Sequence, residues 1–380
     1  MGLTFLLTAG GTGGHLFPAQ ALASELMRRG HAVELATDHR VGEIGRDFPA
    51  RKMHVIASAT LAGRSPLALA RTAWKLGRGT LQARALLKSL RPDTVVGFGG
   101  YPTFPPMLAA WLTGTPSVLH EANAVMGRAN RMLAARATAI ATSFPLAGGT
   151  DPALASRTVR TGNPVRDAVI AAAAPYREPQ PEGRFDLLVF GGSQGARFFS
   201  EVLPEALQCL EGHLRRRVRL VQQCRPEDLD RVKAAYDALG LEAELAPFFP
   251  DMPKRIADAH LVVCRSGASS VSELSVIGRP SILVPLPHAL DNDQGRNAEV
   301  LAEAGGAWPI AQKDLDGPAL AERIIDLMNA PARLAKAAAA ARDVGRPDAV
   351  RRLADLVEHV ASRRPVSALA QGDQSEETPS

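Results

Sequence analysis

Cysteine is scarce in this sequence. Cys209, Cys224 and Cys264 are the only three, and their spacing matches neither a disulfide framework nor a zinc site. An odd count fits a reducing compartment. No uncharged apolar stretch reaches the ~18 residues of a spanning helix. The opening Met1-Gly-Leu-Thr-Phe-Leu-Leu-Thr-Ala-Gly has no basic leader, and its apolar run is too short for a signal peptide. The expectation is a protein that stays in the cytoplasm. Acidic residues are missing altogether between positions 51 and 92, where nine lysines and arginines occur.

What is present is an ordinary globular balance. Hydrophobic residues make up 46% of 380 and charged residues 22%, enough for sizeable cores in about two domains. A net charge of +5 and a pI near 9.4 point to an anionic partner: nucleic acid, anionic lipid or phosphorylated substrate.

Short apolar runs alternate with helical spacing. Strands are expected at 3–8, 32–37, 94–98, 117–120 and 137–142, with a helix at 18–29 ended by Gly30. The polar, proline-bearing stretch 175–184 reads as a surface connection and a boundary. The pattern restarts with a strand at 185–190 and a helix at 196–210. Strands follow at 218–222, 243–248, 260–264 and 281–285, then helices at 315–328, 331–340 and 348–361. This is an α/β fold of two parallel-sheet halves, each opening with a strand, a glycine-rich loop and a helix. Two such domains facing across a cleft would offer the carboxyl ends of their strands to ligands. The expected division is 1–165, 166–345, a terminal helix at 346–363 and a disordered tail at 364–380.

The loops supply the candidate chemistry. Gly10-Gly11-Thr12-Gly13-Gly14-His15 allows close backbone approach to a phosphate or a developing negative charge. It has neither the dinucleotide-binding G-x-G-x-x-G spacing nor the lysine of a Walker loop. His15 suits a general base near neutral pH and equally a locally bonded histidine. In the second half, Gly191-Gly192-Ser193-Gln194-Gly195 is the matching loop, where Ser193 can cap a helix or bind phosphate. Arg166 is either a phosphate partner or a surface cation. Glu273, on the second turn of a helix after the Ser266-Gly267 turn, could accept from a ribose diol or simply face solvent. Asp291, Asn292, Asp293, Gln294 and Asn297 gather hydroxyl-binding groups at a strand end. His288, Asp291 and Asp293 match no strong metal pattern, so no metal ligands are expected.

The acid-free segment includes Leu61, Leu67, Leu69, Trp74, Leu76 and Leu81 among its cations. Leu67, Ala70 and Trp74 recur at helical spacing beside Arg71 and Lys75, as in a cationic amphipathic surface on anionic lipid. Some of these leucines belong to a core. Nucleic acid is the rival partner, but one interleaved aromatic and no recognisable motif argue against it.

Taken together and in order, several motifs resemble the MurG family of peptidoglycan glycosyltransferases over about residues 3–360. They are Gly10 to His15, Gly99-Gly100-Tyr101, His120-Glu121-Ala122-Asn123, Gly162 to Arg166, Gly191 to Arg197, Arg265 to Glu273 and Asp291 to Asn297. The family commonly has glutamine where Ala122 stands and a more polar or cationic residue at Asn292. The resemblance implies a GT-B architecture with an acceptor-binding first domain and a donor-binding second domain. It implies inverting transfer of N-acetylglucosamine from UDP-N-acetylglucosamine to the 4-hydroxyl of the N-acetylmuramoyl sugar of lipid I, giving lipid II. His15 or Glu121 would be the base. His15, Tyr101, Glu121 and Asn123 would fall on the acceptor side, near the reaction, and Thr12, Gly13, Gly14 and Asn123 are among the residues expected to bind substrate. Arg166, Ser193, Gln194, Glu273, Asp293, Gln294 and Asn297 would bind the donor. The expected partners are UDP-N-acetylglucosamine, lipid I, the anionic cytoplasmic face of the inner membrane and other cell-wall and division proteins, with no nucleic acid. No tightly bound cofactor is implied, and Mg could assist through the diphosphate. The competing readings are another glycolipid glycosyltransferase, a UDP-N-acetylglucosamine 2-epimerase, or a two-lobed binding protein without activity.

Overall fold

The computed structural model describes residues 2–10, 13–41, 48–59, 65–192, 197–287, 290–367 and 369. The chain forms two compact units, Met1–Arg166 with Pro347–Ser380, and Asp167–Arg346.

The first unit holds seven strands, β1 (Thr4–Thr8), β2 (Ala32–Thr37), β3 (Met53–Val55), β4 (Thr94–Gly97), β5 (Ser117–Glu121), β6 (Ala139–Thr142) and β7 (Thr158–Arg160). All pair in parallel, in the order β3-β2-β1-β4-β5-β6-β7. Alternate side chains leave the sheet on opposite faces. Phe5 and Leu7 of β1 pack with Leu16, Leu22 and Leu26 of the helix Gly13–Arg28 and with Leu353 and Val357 of the helix Ala349–Ala361. Leu6 faces the other way, onto Ala83, Leu87, Met107 and Leu133. Both faces are therefore covered by helices, as near-continuous apolar strands require.

The helix Ala349–Ala361 is fastened by charge as well as apolar contact. Arg29 donates to Asp355 (2.6 Å) and Glu358 (2.9 Å). His31 Nδ1 accepts from the Leu3 amide (3.1 Å), which leaves its Nε2 as the donor to Glu358 at 2.8 Å. The chain continues in contact past this helix: Val366 is buried in the same core. The expected disordered tail is thus corrected at its start, and 370–380 lie outside the described residues.

The second unit has six strands, β8 (Phe185–Phe190), β9 (Val218–Gln223), β10 (Ala243–Ala246), β11 (Leu261–Cys264), β12 (Ser281–Leu283) and β13 (Ala307–Pro309). They are parallel in the order β10-β9-β8-β11-β12-β13. The stretch 175–184 is not a free connection. Tyr176 donates to the His260 carbonyl (2.9 Å), Arg279 lies over the Tyr176 ring, and Arg217 donates to the carbonyls of Gly183 and Gln180. Those contacts fold it into this unit.

Three strands escape the sequence pattern: β3, β7 and β13. Each has three residues and stands at a sheet edge, too short for an alternating signal. The first helix also begins earlier than expected. It starts at Gly13, so Gly14 and His15 belong to its first turn, and Pro18 lies inside it. Proline has no N–H for the Gly14 carbonyl, which is why the sequence places the helix start at Pro18.

Candidate active site

In each sheet the strand order reverses about the first strand, and ligands gather where strand order reverses. In the first unit that point lies between β1 and β4, whose carboxyl ends meet at the Thr8–Gly97 pair. The helix that follows β1 carries His15 in its first turn, and the loop after β4 carries Gly99 and Gly100.

His15 rests on glycine. A Cβ built on Gly99 would lie 3.3 Å from the imidazole Cε1, and one on Gly100 would lie 3.3 Å from Cδ2. Both glycines hold positive φ, +86° and +76°. The pair supplies the turn and leaves the space that the ring occupies. His15 Nδ1 is buried with no hydrogen-bond partner of ordinary geometry. Burial lowers the imidazole pKa, with the Phe98 backbone opposing. The ring is therefore neutral at pH 7 and able to accept a proton.

Behind it lies His120, fully buried, with its pKa lowered to about 4 by burial, against the Gly162 backbone and with His15 as a further lowering charge. Glu121, 2% exposed, ends β5. Its Oε1 accepts from the Asn123 amide (3.0 Å) and Asn123 Nδ2 (3.3 Å), and its Oε2 from the Gly127 amide (2.9 Å) and Asn130 Nδ2 (2.8 Å). Burial raises the Glu121 pKa while these four N–H donors pull the other way. Asn130 also donates to the His120 carbonyl at 3.1 Å. It went unassigned from sequence because it sits on a helix nine residues beyond Glu121. Its nearness to Gly99, 3.5 Å from a Cβ built there, ties the Glu121 loop to the His15 loop.

Arg166 belongs to this first unit, not to the second domain where the sequence division put it. Its guanidinium lies 4.4 Å from the centroid of the Phe17 ring, on the helix that begins with Gly13, Gly14 and His15. Thr12 lies outside the described residues.

In the second unit the reversal falls between β8 and β11, paired at Phe190 and Cys264. After β8 come Gly191 and Gly192, the latter at φ +84°. Ser193 and Gln194 lie outside the described residues. The Gly191 amide donates to Gln223 Oε1 (3.3 Å), and Gln223 Nε2 donates to the Pro247 carbonyl (3.0 Å). After β11, Arg265 is clamped: it donates to the carbonyls of Val284 (3.1 Å) and Pro285 (3.2 Å) and to Gln312 Oε1 (2.6 Å). Gln223 and Gln312 were missed because their partners lie tens of residues away.

The helix Ala268–Ile277 starts at Gly267 and carries Glu273, half-buried, on its second turn. Ser266 Oγ donates to the Gln294 carbonyl (2.8 Å), and Gln294 Oε1 accepts from the Leu286 amide (3.0 Å). Asp293 Oδ1 accepts from the Gln294 amide (2.8 Å), and burial raises the Asp293 pKa. Asn297 is 0% exposed, its amide donating to the Ser266 carbonyl at 3.2 Å. The helix holding these residues, Asp293–Glu303, is entered through Asp291 and Asn292, both at left-handed φ (61° and 54°). Asp and Asn tolerate that conformation better than other side chains. The structure thus brings Glu273, Asp293, Gln294 and Asn297 to the carboxyl end of the second sheet, and His15, Glu121 and Asn123 to that of the first. Among the described residues, no three His, Cys, Asp or Glu side chains are grouped to hold a metal ion.

Comparison with known proteins agrees with this two-sheet reading. The glycosyltransferase family 28 N-terminal domain matches residues 5–142, and the family 28 C-terminal domain matches residues 186–353. A UDP-N-acetylglucosamine--N-acetylmuramyl-(pentapeptide) pyrophosphoryl-undecaprenol N-acetylglucosamine transferase of Sinorhizobium fredii is 57% identical, with 95% of this chain and 96% of the relative covered. The like-named protein of Brucella abortus is 54% identical, with 97% of each covered. A crystal structure of Acinetobacter baumannii MurG superposes with a TM-score of 0.76 at 29% identity, over 94% of this chain and 99% of that one. A UDP-N-acetylglucosamine 2-epimerase shares the fold alone, at 18% identity and a TM-score of 0.65. The two Rossmann-like units are those of the GT-B architecture, and the chain belongs to the family of UDP-N-acetylglucosamine--N-acetylmuramyl-(pentapeptide) pyrophosphoryl-undecaprenol N-acetylglucosamine transferases.

Proposed function

We propose that this chain transfers N-acetylglucosamine from UDP-N-acetylglucosamine to the 4-hydroxyl of the N-acetylmuramoyl sugar of lipid I, giving lipid II and UDP in peptidoglycan synthesis. The observation that carries the reading is the 57% identity to a transferase of that name along nearly the whole of both chains.

The first unit receives the acceptor. The acceptor hydroxyl attacks the anomeric carbon and inverts it, its proton passes to His15, and UDP leaves with the electrons of the broken bond. His15 is the better base because burial lowers its pKa and keeps the imidazole neutral, so that it can take up a proton. Glu121 is a positioning residue, since both its oxygens already accept two N–H groups each. Asn123 and Tyr101 lie on the acceptor side, and Gly13 and Gly14, with Thr12 assigned by its motif, offer backbone N–H groups to negative charge on the substrates.

The second unit binds the donor. The amides after Gly191, with Ser193 and Gln194, stabilise the diphosphate as it gains charge, and Arg166 supplies a guanidinium to the same anion. Glu273 accepts from the ribose hydroxyls. Asp293 and Gln294 contact the transferred sugar, while buried Asn297 positions them through Ser266. The enzyme works without a tightly held cofactor, with Mg able to assist through the diphosphate.

Among the described residues, no helix is long and apolar enough to cross a membrane. The acid-free segment contains the helix Pro66–Leu90. One face is buried through Thr72, Gly79, Ala83 and Leu87. The other carries Leu67, Arg71, Trp74, Arg78 and Leu81 in a single stripe, the three apolar members 63–67% exposed. Leu61 lies outside the described residues. That stripe is read as the surface resting on the anionic cytoplasmic face of the membrane, beside partners in wall synthesis and division.

Radiolabelled UDP-N-acetylglucosamine mixed with lipid I tests the reaction. A labelled disaccharide lipid is expected, and His15→Ala should abolish it while leaving UDP binding intact. Donor turnover without acceptor, or conversion of the donor to an epimer, would sink the proposal.

A further inference from the structure

A cavity of about 590 Å³ opens in the first unit beside Pro92, Asp93 and Pro116. These residues precede β4 and β5, so it lies at the opposite end of the sheet from His15. A second cavity of about 320 Å³ adjoins it and shares Gly114, Thr115, Pro116 and Arg363. Three helices, Pro66–Leu90, Phe104–Thr113 and Ala349–Ala361, end around this space.

The lining is cationic. Lys88, Arg91 and Arg363 border the first cavity, and Arg136, Arg363 and Arg364 the second. Asp93 is the one acid of either lining, and its Oδ2 already accepts from the Thr4 amide at 2.8 Å. Lys88, Arg91, Arg363 and Arg364 make no side-chain hydrogen bond or ion pair with the described residues. Arg136 is partly engaged, donating to the Met132 carbonyl and lying 5.1 Å from the Trp111 ring centroid.

Two of these arginines occupy backbone positions that suit glycine. Arg91 has φ +50° and Arg363 φ +55°, whereas the third helix end has glycine, Gly114 at +67°. Left-handed backbone is unfavourable for a side-chain-bearing residue. A helix carboxyl end attracts a cation, but that attraction needs no cation in a left-handed position and no shared cavity.

We propose that the double cavity is a binding site for a phosphate ester, gripped by the guanidinium groups of Arg91 and Arg363. Planar guanidinium forks match phosphate oxygens in a way that ammonium groups do not. The combined volume exceeds what a bare phosphate fills, leaving room for the esterified group against Trp111, Pro116 and Ala361. The ester is either the headgroup of a membrane phospholipid or a soluble phosphomonoester.

The full chain tests this with two double variants. Arg91→Gly/Arg363→Gly removes both cations while suiting the backbone, so folding is not at risk. Arg91→Lys/Arg363→Lys keeps the charge and loses the forks. One arm measures flotation with phosphatidylcholine vesicles with and without phosphatidylglycerol. The other measures thermal stabilisation by glycerol 3-phosphate with UDP saturating. A lipid site predicts that phosphatidylglycerol-dependent flotation weakens about 30-fold in the glycine variant, at roughly fivefold per cation, and several-fold in the lysine variant. A soluble-ester site predicts stabilisation of the wild type that both variants lose. Wild-type behaviour of both variants in both arms overturns the proposal. So does a lysine variant indistinguishable from wild type beside a weakened glycine variant, because that pattern is diffuse charge attraction.

Discussion

Glutamine at position 121 separates the two roles open to the carboxylate there. Glu121 accepts four N–H groups, two on each oxygen, at 2.8 to 3.3 Å. Glutamine offers one oxygen and one NH2 group. Whichever way its amide turns, two of those donors then face another donor. Hydrogen bonds to a charged group are each worth ~1.5–3 kcal/mol, so losing two should cost about 3–6 kcal/mol of stability in the first unit. For a unit of this size each kcal/mol moves the midpoint by about 2–4 °C, which gives a drop of roughly 10 °C. Calorimetry on Glu121→Gln would read it, with steady-state transfer measured well below the transition. Transfer should fall modestly, as the Asn123–Gly127 loop loosens. A wild-type midpoint together with a loss of about 10²–10⁴ in kcat, the range of a missing general base, would refute the reasoning and move the base to Glu121.

Gly99→Ala should act through His15. The new Cβ meets the imidazole at 3.3 Å on a backbone of φ +86°, adding ~1–2 kcal/mol of strain and displacing the ring. A transfer rate about 100-fold lower with unchanged UDP affinity is expected from kinetics and titration calorimetry, and wild-type kcat would remove His15 from the reaction. The buried His120 predicts an acid-sensitive fold. Its folded pKa is lowered to about 4 by burial, so between the unfolded value near 6.5 and about 4 the unfolded chain binds more protons. The stability this brings is complete above the unfolded value and is lost as pH falls toward the folded one, by about 3 kcal/mol. Urea denaturation at neutral and acid pH should show the loss in wild type and a shallower loss in His120→Asn. Equal slopes would refute it.

Much of the fold was legible because parallel strands buried on both faces read as short apolar runs, and glycine marks the loops between strand and helix. The strands from β4 to β6 and from β8 to β12 fall where those runs are. Edge strands such as β3 and β13 have three residues each, so no period can announce them. The helix Pro66–Leu90 was only half legible. Along most of its length its buried face uses Thr72, Gly79, Thr80 and Ala83, and leucine enters the core only near its end, at Leu87. A Cβ on Gly79 would come 1.9 Å from the Ala57 carbonyl oxygen, so a small residue is required where the helix meets the chain. Leu67, Leu69, Trp74 and Leu81 point outward, reversing the usual inference from hydrophobicity to burial.

The candidate site divides along a related line. Around His15 the geometry depends on what glycine lacks, and glycines clustered in sequence are easy to see. Around Arg265 it depends on what long side chains reach. Arg265 finds Gln312 forty-seven positions on, and Gly191 finds Gln223 thirty-two positions on. Neither pairing leaves a local trace. The same asymmetry separates residues that touch a ligand from residues that hold the ones that do. Asn297 and Glu121 stand in recognisable motifs beside ligand-binding neighbours, yet one is wholly enclosed and the other has both oxygens engaged. A motif marks where a site is built, and only burial and hydrogen bonding separate its contacts from its supports.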